Sequence, residues 1–342
     1  MNEVNQIIGS IKKGQIKPIY FLMGDEAYFI DQISNYIEKN VLSEEEKGFN
    51  QMTLYGRDTN IEEIVSHSRR YPMMAERQVI IIKEAQDLSR TINAAEPDKG
   101  KSTLLEYVEN PQPTTLLVFC YKYKSLDKRK KITKVIQKSG VLFESKKLYE
   151  DKIPKWIESF LKDEGFGISP KAAEMLVEFL GNDLGKITNE LEKLQLICPK
   201  GTQITPEIIE ENIGISKDFN NFELRKAIGE KNVVKAHRIV NYFAQNPKEN
   251  PVVVTMALLF GLFTQLLQYH SLNDKSRDNI VRALKINAYF ANDYVTAARN
   301  YPMKKVSQVI GLIREADLKS KGVGGNISQG DLLKELLVKI MT

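Results

Sequence analysis

The chain has 342 residues and a mass of 39.0 kDa, enough for two or three domains with separate cores. Its composition, 42% hydrophobic and 27% charged, is ordinary for a globular protein. The net charge of +5 is too small to indicate a dedicated DNA-binding domain, although it permits contact with a phosphate backbone or an acidic surface. Two cysteines and three dispersed histidines give neither a disulfide framework nor the spacing of metal ligands.

The ends and the most apolar segment of the sequence bear on its location. The residues Met1-Asn2-Glu3-Val4-Asn5 lack the charged start and apolar run of a signal peptide. The longest uncharged run lies between Pro251 and Asn273, and its apolar part falls just short of a membrane span, so we expect a core helix there. The sequence therefore predicts a soluble, cytoplasmic protein without membrane contact.

Residues 1–148 alternate short apolar runs with amphipathic segments. The predicted strands are Pro18–Met23, Met52–Tyr55, Gln78–Lys83, Thr114–Tyr121 and Val141–Glu144. The predicted helices between them are Ala27–Asn40, Ile61–Arg70, Thr103–Glu109 and Leu126–Lys138. Near-continuous apolar strands separated by helices are typical of a parallel sheet covered on both faces, so residues 1–148 are predicted to form a doubly wound α/β domain.

From about Asp151 the strand patterns stop and only helical patterns follow. Residues 149–214 predict a small helical domain with helices at Ile153–Glu164, Pro170–Leu180, Asp183–Ile197 and Pro206–Ile213. Ser169-Pro170 and Thr205-Pro206 each place a capping hydroxyl before a proline at the first helical position. A polar joint at 216–221 leads into residues 215–342, which predict an all-helical third domain with turns at Asn246–Pro251, Asn273–Ser276, Asn300–Pro302 and Gly322–Gly330.

The segment after the second predicted helix carries an unusual apolar pair. Pro72 ends the helix, because it fixes φ and drives the preceding residue out of the α region. Met73 and Met74 then fall in a turn, and turns normally lie on the surface. From the residues alone the favoured interpretation is that both methionines fold back into the local core, since Met commonly fills gaps. The alternative is an apolar tip that enters a pocket on a partner.

The sequence lacks the groups that catalysis would need. The first strand is followed by Gly24-Asp25-Glu26, where a nucleotide-binding domain would carry Gly-Lys-Ser/Thr to hold phosphates. Two carboxylates suit a helix N-terminus but repel a triphosphate. The buried strand Val79–Ile82 is not followed by an acidic pair for magnesium, and no hydrolase or metalloprotease motif is present. We expect no catalytic residues, no bound cofactor and no metal.

Several stretches, in this order, resemble the delta-subunit family of the bacterial DNA polymerase III clamp loader. The stretches that carry the resemblance are Pro18–Glu26, Met73–Ile82, Leu126–Lys131, Pro154–Ile157, Gly181–Leu184, Asn189–Leu194 and Ala316–Gly322. Each is weakly specific alone, whereas their order and spacing together are a strong signal.

The resemblance implies a fold, a role and a set of partners. It implies an AAA+-like α/β domain without a working phosphate loop over 1–148, a small helical lid domain over 149–214 and a helical collar domain over 215–342. It implies a clamp-loader subunit of the DNA polymerase holoenzyme with no activity of its own, which helps to open the sliding clamp for loading onto primed DNA during replication. The implied partners are the beta sliding clamp, the gamma/tau ATPase subunits, delta-prime and primed DNA.

The resemblance also reverses the interpretation of the apolar pair. It places Met73 and Met74 at the positions that enter a pocket on the clamp, with Tyr71 and Pro72 beside them in the clamp-binding turn. The family often has a leucine and an aromatic residue there, so two methionines are a departure. Met keeps volume and apolarity and adapts to irregular pockets, so we expect a surface wedge rather than core filling.

A basic cluster and two rival functions complete the expectations. Lys128, Arg129, Lys130 and Lys131 are predicted to lie on one helical segment, where a solvated helix face is the favoured interpretation and contact with DNA or an acidic clamp surface is the functional alternative. One rival function is a divergent ATPase of the same fold, which nucleotide would stabilise. The other is a free-standing DNA-binding protein, against which the modest net charge argues.

Overall fold

The computed structural model describes residues 2–93, 103–323 and 327–342. The chain divides into two compact units, residues 1–148 and 149–342. The first is a mixed α/β unit and the second is helical apart from two very short strands, which confirms the predicted fold class of an α/β portion followed by an all-α portion.

The first unit contains five strands and seven α-helices among the residues that the structure describes. Its elements in chain order are α1 (Asn2–Lys12), β1 (Ile19–Gly24), α2 (Ala27–Asn40), α3 (Glu44–Asn50), β2 (Gln51–Tyr55), α4 (Ile61–Ser68), β3 (Gln78–Lys83), α5 (Ser89–Asn93), α6 (Thr103–Glu109), β4 (Thr115–Lys122), α7 (Lys131–Ser139) and β5 (Val141–Ser145). All five predicted strands are present, with ends that agree within one residue.

The five strands form one parallel sheet in the order β2-β3-β4-β1-β5. Its three central strands are almost wholly buried, as expected for a sheet covered on both faces. The rings of Phe21 in β1 and Phe119 in β4 stack across the strand pair at 5.2 Å. At one edge of the sheet, the amino end of β3 pairs with the amino end of β4. At the opposite edge, Gly24 at the carboxyl end of β1 lies in register with Ser145 of β5.

The structure corrects the sequence prediction at five helices of this unit. The helix predicted over Leu126–Lys138 begins only at Lys131, because Asp127 accepts hydrogen bonds from the backbone and side chain of Arg129 and folds the preceding residues into a turn. The helix predicted to reach Arg70 ends at Ser68. Helices α1, α3 and α5 were not predicted. Ser43-x-x-Glu46 is a capping-box signal that could have revealed α3.

The second unit contains eleven α-helices among its described residues. Its elements are α8 (Ile153–Asp163), β6 (Gly167–Ile168), α9 (Pro170–Leu180), α10 (Leu184–Ile197), β7 (Gln203–Ile204), α11 (Pro206–Ile213), α12 (Asn221–Gly229), α13 (Val233–Gln245), α14 (Val252–Ser271), α15 (Arg277–Leu284), α16 (Ala291–Asn300), α17 (Met303–Ser320) and α18 (Gln329–Met341). The prediction that strands end before Asp151 is wrong, since β6 and β7 form a two-residue parallel pair. The predicted division of 149–342 into two domains stays a prediction, since these residues form one compact unit.

Polar groups link the early and late helices inside this unit. The carboxylate of Glu178 in α9 accepts a hydrogen bond from the backbone of Phe222 at 3.2 Å. Burial raises the pKa of Glu178 to about 7, against the opposing attraction of Arg225 in α12. The buried carboxylate of Glu223 pairs with both Lys171 and Lys235. These contacts satisfy groups that would otherwise be costly to enclose.

Helix α14 is the centre of the late helices. It is the one described helix that is long and apolar enough to cross a membrane by length and composition. Its inward side chains, which include Met256, Leu259, Phe263 and Leu266, are buried in the core that the late helices share. This agrees with the expectation of a core helix.

Candidate functional site

The segment between α4 and β3 is an exposed turn with three large side chains. Tyr71 is 76% exposed, Met73 is 63% exposed and Met74 is fully exposed, whereas Pro72 is half-buried. The two methionines therefore do not fill the local core. The turn is an apolar projection at the amino end of β3, a strand whose central residues are buried.

One buried side chain, Asn50, holds the middle of this turn. Its amide oxygen accepts a hydrogen bond from the backbone N–H of Met73 at 2.6 Å, and its amide nitrogen donates to the carbonyl oxygen of the same residue at 2.9 Å. Asn50 is the last residue of α3 and leads directly into β2, so its own position is fixed by the sheet. The backbone of Met73 is consequently tied to the scaffold in both directions while its side chain points outward.

Hydrogen bonds from the side chains of Thr115 and Gln78 hold the two ends of the turn. The hydroxyl of Thr115 in β4 donates to the carbonyl oxygen of Ser68, the last residue of α4, at 2.9 Å. The side-chain nitrogen of Gln78 in β3 donates to the Thr115 hydroxyl at 2.7 Å and to the carbonyl oxygen of Arg70 at 2.6 Å. Helix end, turn and strand start therefore share one polar network, and the turn has little freedom to fold inward.

Met74 adopts a left-handed backbone conformation with φ of +53°. For a residue with a Cβ atom this costs roughly 1–2 kcal/mol. Such a conformation persists when its surroundings over-determine it, and it is enriched at binding sites. The hydrogen bonds to Met73 supply that constraint here.

Sequence reasoning missed one further exposed side chain beside the turn. Phe49 is 78% exposed and immediately precedes Asn50 in α3. Because α3 itself was not predicted, Phe49 could not be placed. The signal available in the sequence was a lone phenylalanine in the polar stretch Glu44–Asn50, which the capping box Ser43-x-x-Glu46 begins.

The loop after β1, which would hold phosphates in a nucleotide-binding domain, is instead bound by β5. The backbone N–H of Asp25 donates to the carbonyl oxygen of Ser145, and that of Glu26 donates to the Ser145 hydroxyl, each at 3.2 Å. A Cβ atom on Gly24 would lie 2.1 Å from the Ser145 carbonyl oxygen, so β5 runs directly against the loop. The N–H groups that would face a phosphate are engaged by β5.

The basic cluster does not lie on one helix face. Lys128 and Arg129 precede α7, Lys130 caps it and Lys131 is its first residue. Lys128 pairs with Glu144 at 2.6 Å and Lys131 pairs with Glu109 at 2.7 Å. Hydrogen bonds from Arg129 hold the pKa of Asp127 well below its usual range.

Neither a metal site nor a reactive thiol at Cys120 is found in the described part of the chain. Within residues 2–93, 103–323 and 327–342, no three His, Cys, Asp or Glu side chains converge as a metal site would require. Cys120 is a free thiol inside β4, and burial raises its pKa to about 11, which makes it inert as a nucleophile.

Two family models match the sequence. The model for the DNA polymerase III delta subunit matches residues 20–146, and the model for its C-terminal domain matches residues 218–340. The chain belongs to the DNA polymerase III delta-subunit family. It is therefore a clamp-loader subunit of the replication machinery that works in a complex with other clamp-loader subunits.

Individual proteins of known family are similar to this chain. The chain is 26% identical to the DNA polymerase III subunit delta of Bacillus subtilis over 315 residues, which are 91% of this chain and 90% of that protein. The structure of the B. subtilis DNA clamp loader delta protein matches with a TM-score of 0.54 and 25% identity, over 99% of each chain. The replication factor C small subunit of Thermoplasma volcanium is 30% identical over 137 residues, 40% of this chain and 38% of that protein.

Because Asn50 alone bridges both backbone groups of Met73, replacing it should loosen the turn. We expect Asn50→Ala to lower the free energy of unfolding of the first unit by about 1–3 kcal/mol, the cost of leaving buried polar groups unpaired. Amide hydrogen exchange followed by mass spectrometry should show faster exchange over residues 69–77.

The control is Asn40→Ala, which removes an exposed side chain that bonds only within its own helix. Its exchange over residues 69–77 should equal that of the wild type. Equal protection of the turn in Asn50→Ala and Asn40→Ala would contradict the bridging role of Asn50.

Proposed function

We propose that the exposed turn at residues 71–74 binds the beta sliding clamp, and that this binding favours an opened clamp for loading onto primed DNA. In this proposal Met73 and Met74 enter an apolar pocket of the clamp, with Tyr71 and Pro72 at its border. The chain acts without its own nucleotide chemistry, in the cytoplasm, beside the gamma/tau ATPase subunits and delta-prime.

The observation that carries the proposal is an apolar tip on a fixed backbone. An exposed pair of methionines forgoes the stabilisation of roughly 1.5–3 kcal/mol that burial of each would give. The turn keeps this arrangement through hydrogen bonds from Asn50 and Gln78, which hold the backbone and leave the side chains outside. Such a surface is suited to binding a partner and has no structural use in the isolated chain.

The mechanism follows from linkage between binding and clamp conformation. A bound protein shifts an equilibrium between closed and open clamp only by its differential affinity for the two states. The proposed turn must therefore contact the open clamp better than the closed one. Energy from ATP enters through the other subunits, and this chain supplies the contact through which the clamp is held open.

Truncating both methionines should remove clamp binding and leave the fold intact. Burial of the two side chains is worth about 3–6 kcal/mol if fully realised, so the double variant Met73→Ala with Met74→Ala should bind the clamp at least about a hundredfold more weakly. Isothermal titration of the purified chain with the clamp of the same organism measures this, and circular dichroism checks the fold.

The control is Met303→Ala, which truncates another exposed methionine, 45% exposed, at the start of α17 in the second unit. It should bind the clamp as the wild type does. Undiminished affinity in the double variant would overturn the proposed role of the turn.

The rival interpretation as a divergent ATPase makes the opposite prediction for nucleotide. A ligand that binds the native state raises the melting temperature. Because Ser145 engages the N–H groups of Asp25 and Glu26, we expect millimolar Mg-ATP to leave the melting temperature of the chain unchanged. A rise that follows the ATP concentration and is absent with Mg²⁺ alone would favour the ATPase.

The basic cluster is proposed to contact the DNA backbone within the assembled complex. Lys130 and Lys131 lie at the amino end of α7, where the helix dipole favours anions, and the first turn of α7 contains no carboxylate. Replacing Lys128 and Lys130 by Gln should reduce the salt dependence of DNA binding by the reconstituted clamp loader. An unchanged salt dependence would contradict the proposed DNA contact and leave the cluster as a solvated surface. The control is Lys12→Gln with Lys13→Gln, at the end of α1 and in the turn that follows it. An equal effect of this control would also contradict the DNA contact.

A further inference from the structure

Phe49 and the turn at 71–74 belong to one surface, although they lie in different parts of the sequence. Asn50 joins them: its backbone continues from Phe49, and its side chain holds the backbone of Met73. The surface therefore presents four large exposed side chains from two segments, Phe49, Tyr71, Met73 and Met74. Single exposed apolar residues are common, whereas a group held together on a fixed backbone marks an interaction site.

The helix that carries Phe49 is fixed at both ends. The backbone N–H and the hydroxyl of Ser43 both donate to the carboxylate of Glu46 at 2.9 Å and close the first turn of α3. These hydrogen bonds lower the pKa of Glu46 below its usual value. At its other end α3 passes directly into β2. The exposure of Phe49 is thus a property of a constrained helix, and its ring is available without rearrangement of the backbone.

The charges around this surface indicate the chemistry of the partner. On the turn, Arg69 and Arg70 precede the apolar residues and Arg77 follows them, while Glu76 is the one carboxylate within the segment 69–77. The carboxylates of α3 lie in its first turn, whereas Phe49 lies in its last turn with Lys47. Counting only carboxylates that the structure describes, none lies within 4.0 Å of these three guanidinium groups. Arg69 and Arg70 are exposed. An apolar centre with unpaired arginines at its border complements an apolar pocket bordered by carboxylates.

We propose that Phe49 is a second anchor of the clamp-docking surface, and that the pocket it helps to fill on the clamp is bordered by acidic side chains that Arg69 and Arg70 contact. This inference rests on the proposed function of the turn. It adds α3 to the docking surface and assigns the partner surface its chemistry. Aromatic and arginine side chains are the groups that most often dominate binding at the centre of an interface.

The test measures clamp affinity for four variants of the full chain at several salt concentrations. Phe49→Ala should weaken binding at least about tenfold, while Phe49→Tyr, which keeps the ring, should stay close to the wild type. Phe179→Ala is the matched control, because Phe179 is also an exposed helical phenylalanine, 52% exposed, in the second unit. Arg69→Gln with Arg70→Gln should slow association at low salt and flatten its salt dependence.

The outcomes separate this inference from the proposal beneath it. If the Met73→Ala, Met74→Ala variant loses binding while Phe49→Ala binds as the wild type does, the second anchor is overturned and the turn keeps its role. If the double methionine variant also binds normally, the proposed function itself fails. An unchanged salt dependence in the arginine variant overturns the acidic border, and melting curves equal to the wild type show that each loss reflects contact rather than unfolding.

Discussion

A single buried amide determines how this surface is presented. A buried backbone N–H and C=O must each find a partner, and for Met73 both partners are supplied by Asn50. Because Asn50 bonds the backbone N–H and C=O of Met73, the turn can expose its apolar side chains without leaving these polar groups unpaired. The residue on which the proposed docking surface most depends is therefore one that we do not expect to touch a partner.

The sheet topology places this surface opposite the edge that α/β domains normally use. In open parallel sheets, ligands bind beyond the carboxyl ends of the strands. Here that edge is closed where Ser145 of β5 meets the loop after β1. The exposed turn instead precedes β3, so it lies at the amino edge of the sheet. The contacts that close the carboxyl edge do not involve the exposed turn at the amino edge. The scaffold can therefore serve as a binding module without nucleotide chemistry.

The sequence predicted the features that depend on the hydropathy of neighbouring residues and missed those that depend on side-chain hydrogen bonds or on contacts between distant residues. The strands were predicted within a residue because continuous apolar runs encode them locally. The start of α7 was wrong because the side chain of Asp127 competes for the local backbone, which hydropathy does not register. The pairing of Asn50 with Met73 spans 23 residues, so no local pattern contains it. The exposure of the two methionines was predicted only through the family resemblance, because from the residues alone Met is more often a filler of core gaps.

A fixed backbone makes adaptable side chains such as Met73 and Met74 suitable for the proposed contact. Binding requires ordering of flexible side chains, at roughly 0.5–1.5 kcal/mol for each. A mobile turn would add the cost of ordering its backbone, about 1–2 kcal/mol per residue. Hydrogen bonds from Asn50 and Gln78 already order the backbone of the turn in the folded chain, so that binding does not have to order it. The flexibility of the side chains of Met73 and Met74 is then tolerable in the proposed contact, because residues beneath the surface have already ordered the backbone.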